Sequence, residues 1–199
     1  FLSGRDVAQA LPMREAIEAM RDAFRHLAVG EAIMPPRTAI EAPDGDALFM
    51  PSFLPATGRM GIKVVSVFPG NRTHALPVIQ AILLVLDAAS GSPLAVMDGT
   101  TLTAIRTGAA SGLATDLLAR PDAAVAAIFG AGPQARTQLE AVCAVRRIRE
   151  ARVFDADASV TLQSERTGAV AGAGLEGGLL GRGRNDVEIA PGTEDARTL

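Results

Sequence analysis

The chain of 199 residues has no tryptophan, no tyrosine, one cysteine and one lysine among its 19 basic residues. With aromatics at 4%, the stacking platforms that hold bases or sugars are scarce. The single thiol, Cys143, excludes an internal disulfide and fits a reducing compartment, so a cytoplasmic location is expected. Apolar runs such as 81–86 fall far short of the roughly 20 residues that span a bilayer. The opening stretch FLSGRDV carries Arg5 and Asp6 where a secretory leader needs an apolar run. Charge of one sign is also missing. A net charge of −3 and a pI near 5.4 argue against a general nucleic-acid or anionic-membrane binder.

What is present is ordinary globular composition, 48% hydrophobic and 21% charged, over a length that suits one large domain or two small ones. Ser3-x-x-Asp6 is a capping box for a short first helix. Pro12 suits the first turn of a second helix. There Met13, Ile17, Met20, Phe24 and Leu27 recur in steps of four and three as a core-facing stripe, closed by Gly30. Strands are expected over 37–41, 47–51, 61–68, 78–87 and 94–98, with turns at Asp44-Gly45 and Ser90-Gly91. The run VIQAILLVLD reads as a strand buried on both faces. Successive strands without intervening helices predict an antiparallel or mixed sheet packed on the first helices, an α+β unit.

The grammar then changes. Thr100 or Thr101 caps a helix running to about Leu118, rich in Gly and Ala. AAVAAIFG (123–130) is a short strand, GAGPQA a glycine turn, 134–145 a helix, and ARVFDAD (151–157) a second strand. This β-α-β order opens a doubly wound dinucleotide-binding domain of the Rossmann type. Gly130, Gly132 and Ala135 fit G-x-G-x-x-A, with Pro133 and Gln134 between. The first glycine permits the tight turn, the second lets the backbone approach a pyrophosphate, and the small third residue lets helix and strand pack. Asp155, at the end of the second strand, is placed to accept from ribose hydroxyls and to repel a 2′-phosphate, favouring NAD; Asp157 is its rival. After Asp157 the pattern fails. Eight glycines fall within 168–192, and no helical or strand period is legible to Leu199. The chain thus reads as an α+β domain (1–120), a partial dinucleotide domain (121–157) and an atypical tail (158–199). The tail is expected to be truncated or frame-shifted and poorly ordered, and to leave the strand at 151–155 as an open edge.

Three cations stand out: Arg37 after Pro35-Pro36, Lys63 in GIKVVSVF, and Arg106 in the helix DGTTLTAIRTGAA. Singly each reads as a solvated charge. Together, without a matching block of acids, they suit a carboxylate or phosphate and are expected to converge on one anion site between the two domains. His26, His74 and Cys143 show no metal spacing, and no metal is expected. His26 reads as a helix-end or solvated residue, His74 as a surface-loop residue, and Cys143 as packed.

The segments LFMPSFLP, GIKVVSVFPGN, ALPVIQAILLVLDAASGSPLAVMDGTTLTAIRTGAASGLAT and IFGAGPQA resemble the ornithine cyclodeaminase/mu-crystallin family over about 1–157. The resemblance implies a Rossmann domain joined to an α/β domain that carries substrate contacts and forms a homodimer. By position, Arg37 and Lys63 match residues that bind the substrate carboxylate, and Arg106, with Thr107 beside it, matches an arginine shared by substrate and cofactor. Pro133 and Gln134 match the dinucleotide turn, and Asp155 the ribose-binding acid. Val78 stands where the cyclodeaminase pattern has a cofactor-contacting threonine. The family's catalytic aspartate has no counterpart in 158–199, so no catalytic residue is assigned. The implied activity is NAD-dependent cyclisation of an amino acid such as ornithine to proline with release of ammonia. The alternatives are an imine or ketimine reductase or alanine dehydrogenase, and a non-catalytic mu-crystallin-like binding protein or inactive fragment.

Overall fold

A computed structural model describes residues 1–155 and the backbone of 185–188. The chain divides into two compact units, Phe1–Ile105 and Arg106–Leu199. The expected order is found through β7: α1 (Gly4–Ala10), α2 (Met13–Ala28), β1 (Thr38–Ala42), β2 (Gly45–Leu54), β3 (Arg59–Val67), β4 (Ile79–Asp87), β5 (Pro93–Asp98), α3 (Gly99–Leu118), β6 (Val125–Phe129), α4 (Ala135–Val145) and β7 (Glu150–Phe154); a further strand, β8 (Asn185–Glu188), is unexpected.

In the first unit, β1 to β5 form one antiparallel sheet in sequence order. Short connections between consecutive strands permit only antiparallel neighbours, which explains the meander. Leu2 adds backbone hydrogen bonds at the β5 edge, donating to Val96 at 2.9 Å and accepting from Asp98 at 3.0 Å. The Ser3 capping box is formed: Asp6 N–H donates to Ser3 Oγ, and Ser3 N–H and Oγ donate to the Asp6 carboxylate. At the end of α2, Gly30 at φ +77 closes a Schellman motif, with Glu31 N–H donating to His26 O and Gly30 N–H to Leu27 O. His26 also pairs through Nδ1 with Glu31. His74 ends a short 3-10 turn, Pro69–His74, and is exposed.

Two expectations about burial fail. Met13 and Ile17 of the α2 stripe are buried, but Phe24 and Leu27, farther along the same stripe, are exposed. Likewise β4 is not buried on both faces. Ala81 is buried, while Ile79 and Ile82 are 53% and 48% exposed. An apolar run reports affinity for cover, not whether this chain supplies it.

In the second unit, β6 and β7 are parallel with α4 as the crossover. Ala126, Leu139, Ile148 and Ala151 form its small core, with Ile128, Val142 and Cys143 packed against it. The expected open edge at β7 is a further correction, because β8 pairs antiparallel with it, Asp186 opposite Arg152. Four residues, NDVE, among glycines carry no alternating pattern, so pairing alone defines this strand. The expectation of disorder for the rest of 158–199 lies outside the described residues.

Two acids should mark the acid limit of the first unit. Hydrogen bonding by Ser3, hydroxyl before backbone, lowers the Asp6 pKa from 3.8, and Ser90 does the same for Asp87 at the β4–β5 turn. Their stabilisation is therefore present above the unfolded value and lost as pH falls through the lowered folded values. Urea midpoints measured between about pH 5 and about pH 2.5 should fall for the natural sequence and fall less for Asp6→Asn/Asp87→Asn.

Candidate dinucleotide turn and cationic row

The turn between β6 and α4 is tied to β7 by two consecutive N–H groups. Gly130 N–H donates to Phe154 O, and Ala131 N–H to Asp155 Oδ2, both at 2.7 Å. Asp155 follows the last residue of β7 directly, so strand pairing carries it to the turn. Gly130 has φ +96, a conformation that disfavours a side chain. At Gly132 an added Cβ would have nothing within 4 Å. The main chain there is open, so no protein atom blocks the approach of a ligand. Pro133 has no N–H, and Ala135 N–H donates to Gly132 O at 2.9 Å. Gly132 and Gln134 thus stand at the mouth of the turn, where α4 presents its positive end.

Arg106 is exposed on α3, one residue after the buried Ile105, and Thr107 is half-buried. The next residue, Gly108, is buried against α4: a Cβ there would strike the carbonyl oxygen of Thr137 and lie 2.7 Å from its carbonyl carbon. Thr137 Oγ1 in turn donates to Gln134 O at 3.0 Å. The α3 segment bearing Arg106 and Thr107 is therefore packed one step from the turn.

Arg37 and Lys63 lie in the other unit. Lys63 is opposite Met50 on β2 and Leu83 on β4. Thr38 is opposite Phe49, so Arg37, one residue before β1, extends the register to Met50. Opposed residues share a face, which sets Arg37 and Lys63 on one row two strands apart, about 10 Å between Cα atoms. Lys63 is half-buried and flanked by apolar neighbours, and Arg37 is exposed. An open cavity of about 490 Å³ lies by Val64, Ser66, Gln80, Asp98 and Thr101. It sits at positions alternate to Lys63 on β3, and no basic residue is among its lining. It therefore does not suit an anion.

Cys143 and Glu140 sit on α4. Burial raises the pKa of both; the Glu140 charge raises the thiol's further, while Arg136 opposes the shift on Glu140. The thiol is held protonated and packs against the core, not a nucleophile's setting. Sequence reasoning missed Arg146, whose guanidinium meets the end of α3. In the run RRIRE nothing marks that arginine from its neighbours.

A two-unit α/β protein with a dinucleotide-type turn is thus defined by its fold and geometry. The model of the ornithine cyclodeaminase/mu-crystallin family matches residues 1–174, and the chain belongs to that family. It is 41% identical over 155 residues to an alanine dehydrogenase of Archaeoglobus fulgidus, covering 78% of this chain and 48% of that protein. Among solved structures it resembles the Thermococcus litoralis Delta(1)-pyrroline-2-carboxylate reductase in complex with NADH and L-proline, at 48% identity and TM-score 0.73, over 78% of this chain and 49% of that one. It also resembles an archaeal alanine dehydrogenase dimer with bound NAD, at 40% identity and TM-score 0.73, over 78% and 48% of the two chains. The chain spans about half the length of these relatives.

The two glycines of the turn should respond differently to one methyl group. Gly130→Ala forces a left-handed backbone on alanine and should lower unfolding free energy by about 1–2 kcal/mol in urea titrations. Gly132→Ala meets no atom and should stay within about 0.5 kcal/mol of the natural chain.

Proposed function

We propose that the chain carries the nucleotide turn and the carboxylate-binding cations of an NAD-dependent oxidoreductase acting on an amino acid and its imino acid. The observation that carries this is the Gly130–Ala135 turn clamped by Asp155, with the main chain open at Gly132. Gly130, Gly132, Pro133, Gln134 and Ala135 would hold the pyrophosphate of NAD, and Asp155 the ribose hydroxyls. Arg106 and Thr107 would stand near both substrate and cofactor. The nicotinamide, when bound, supplies hydride exchange at the substrate's α-carbon.

The chain's own residues do the positioning. On the first unit, Arg37 and Lys63 would neutralise and orient the substrate carboxylate; Arg106, on the second unit, matches the family's arginine shared by substrate and cofactor. Met50 and Leu83 stand opposite Lys63 on the neighbouring strands, so apolar residues flank the position that would hold the carboxylate. In the oxidative direction Cα loses hydride and the amine nitrogen a proton, giving the imine; reduction reverses both.

One hydride transfer per turnover is the reading we favour, because Val78 replaces the threonine of the cyclodeaminase pattern and relatives at 41% and 48% identity are a dehydrogenase and a reductase. Cyclisation with loss of ammonia is the second reading. It stands on the MDGTTLTAIRT and GAGPQA segments, which carry the family resemblance. The half-open apolar faces of the first unit, at Ile79 and Ile82, suit a homodimer, the state described for the archaeal alanine dehydrogenase relative.

Fluorescence titration should show NADH bound more tightly than NADPH by about tenfold or more, since Asp155 repels a 2′-phosphate. Gly132→Ala should weaken NADH comparably while leaving the fold intact. Equal affinity for the two nucleotides, or indifference to Gly132→Ala, would count against the site. With an amino acid and NAD+, accumulation of NADH supports one hydride transfer; ammonia without net NADH supports cyclisation. Lys63→Met should raise KM for the acid more than it lowers kcat.

A further inference from the structure

We propose that Arg146 and Gly108 are positioning residues for the dinucleotide turn, holding α3 on α4 so that Arg106 and Thr107 keep a fixed place beside it. This rests on the nucleotide-binding reading above. Arg146 is the first residue past α4, and its side chain is 9% exposed. Its Nε donates to Arg120 O at 3.1 Å, and Nη2 to the carbonyls of Thr115, Asp116 and Ala119 at 3.1, 2.8 and 2.9 Å. Nη1 donates to Asp116 Oδ1 at 3.2 Å and to Val145 O at 2.8 Å. Thr115 and Asp116 lie in the last turn of α3, and Ala119 and Arg120 just past it, at the negative end of its dipole; Thr115 O also accepts from Ala119 N–H and Arg120 O from Ala123 N–H. One planar cation therefore caps α3 with donors that a flexible ammonium cannot array in the same way.

The second fixed point lies earlier on both helices, where Gly108 meets the backbone of Thr137. From Gly108 to the capped carbonyls, and from Thr137 to Arg146, the rise is about 10–18 Å at roughly 1.5 Å per residue. The two contacts are thus matched in spacing and run in the same sense. Two contacts at separate points along the same pair of helices oppose sliding of α3 along α4. The consequence reaches the turn by one hydrogen bond, because Thr137, the residue Gly108 touches, donates to Gln134 O. A residue that only added stability would not need the close approach at Gly108, one position after Thr107.

The test uses the whole chain with Gly108→Ala, Arg146→Met, Arg146→Lys and the milder Asp116→Asn. NADH affinity is read by fluorescence well below the melting temperature, and the amide resonances of Ala131, Gly132 and Gln134 by NMR without nucleotide. Gly108→Ala and Arg146→Met should shift those amides and weaken NADH by about tenfold, since sub-ångström misplacement is costly at such sites. Arg146→Lys should recover part of the loss. Folded variants with unshifted turn amides and NADH affinity within about twofold of the natural chain would overturn the proposal. If Arg146→Met fails to fold, Gly108→Ala and Asp116→Asn decide the matter by the same two readouts. If the natural chain takes up no NADH, the nucleotide reading fails, and the turn amides alone decide the positioning claim.

Discussion

Everything at the candidate site depends on how the glycine turn is fastened to β7. Parallel strands cannot be joined by a short hairpin, so β6 and β7 meet only through α4 and through their own ladder. That ladder ends at Phe129 and Phe154, and beyond it two backbone donors remain. Both are taken up at the end of β7, Gly130 by the Phe154 carbonyl and Ala131 by the carboxylate of Asp155, the residue just past it. The first half of the turn is hydrogen-bonded to the neighbouring strand and the residue after it, while Gly132 to Gln134 are exposed. A charge-assisted bond of this kind is roughly twice as strong as a neutral one. Loss of it would free the turn without unfolding the strand.

The same unit shows how few contacts can define a site. Its core is small, yet the Gly108 contact and the guanidinium of Arg146 tie α3 to α4 without large apolar side chains. Small residues along α3 trade buried area for nearness, and hydrogen bonds from a buried arginine replace some of what apolar packing would supply. The price is an unforgiving surface, where one methyl group at Gly108 has nowhere to go.

Local chemistry explains what was legible in the sequence. The Ser3 capping box, the stop at Gly30, the five meander strands and the glycine turn are each specified by residues within a few positions of one another. Lys63 and Arg37 were legible as cations, and strand register adds that they share a row. What escaped depends on partners distant in the chain. The exposure of β4 is set by layers outside it. Strand β8 exists through its pairing with β7, and Arg146 acquires its role from carbonyls 26 to 31 residues away. No window of sequence contains those pairs.

Asp155 also limits how the proposed cofactor preference can change. In Rossmann domains an acid at this position is read as a ribose ligand, which invites a single replacement to admit a 2′-phosphate. Here the same carboxylate holds Ala131. A neutral amide at this position keeps an oxygen acceptor for that N–H and removes the repulsion, whereas alanine removes the clamp as well. Arginine would supply charge for the phosphate but no acceptor for the turn. A switch of preference in this chain therefore needs two substitutions, one for the charge and one to hold the backbone, and the order matters. The turn must be held before the cation is introduced.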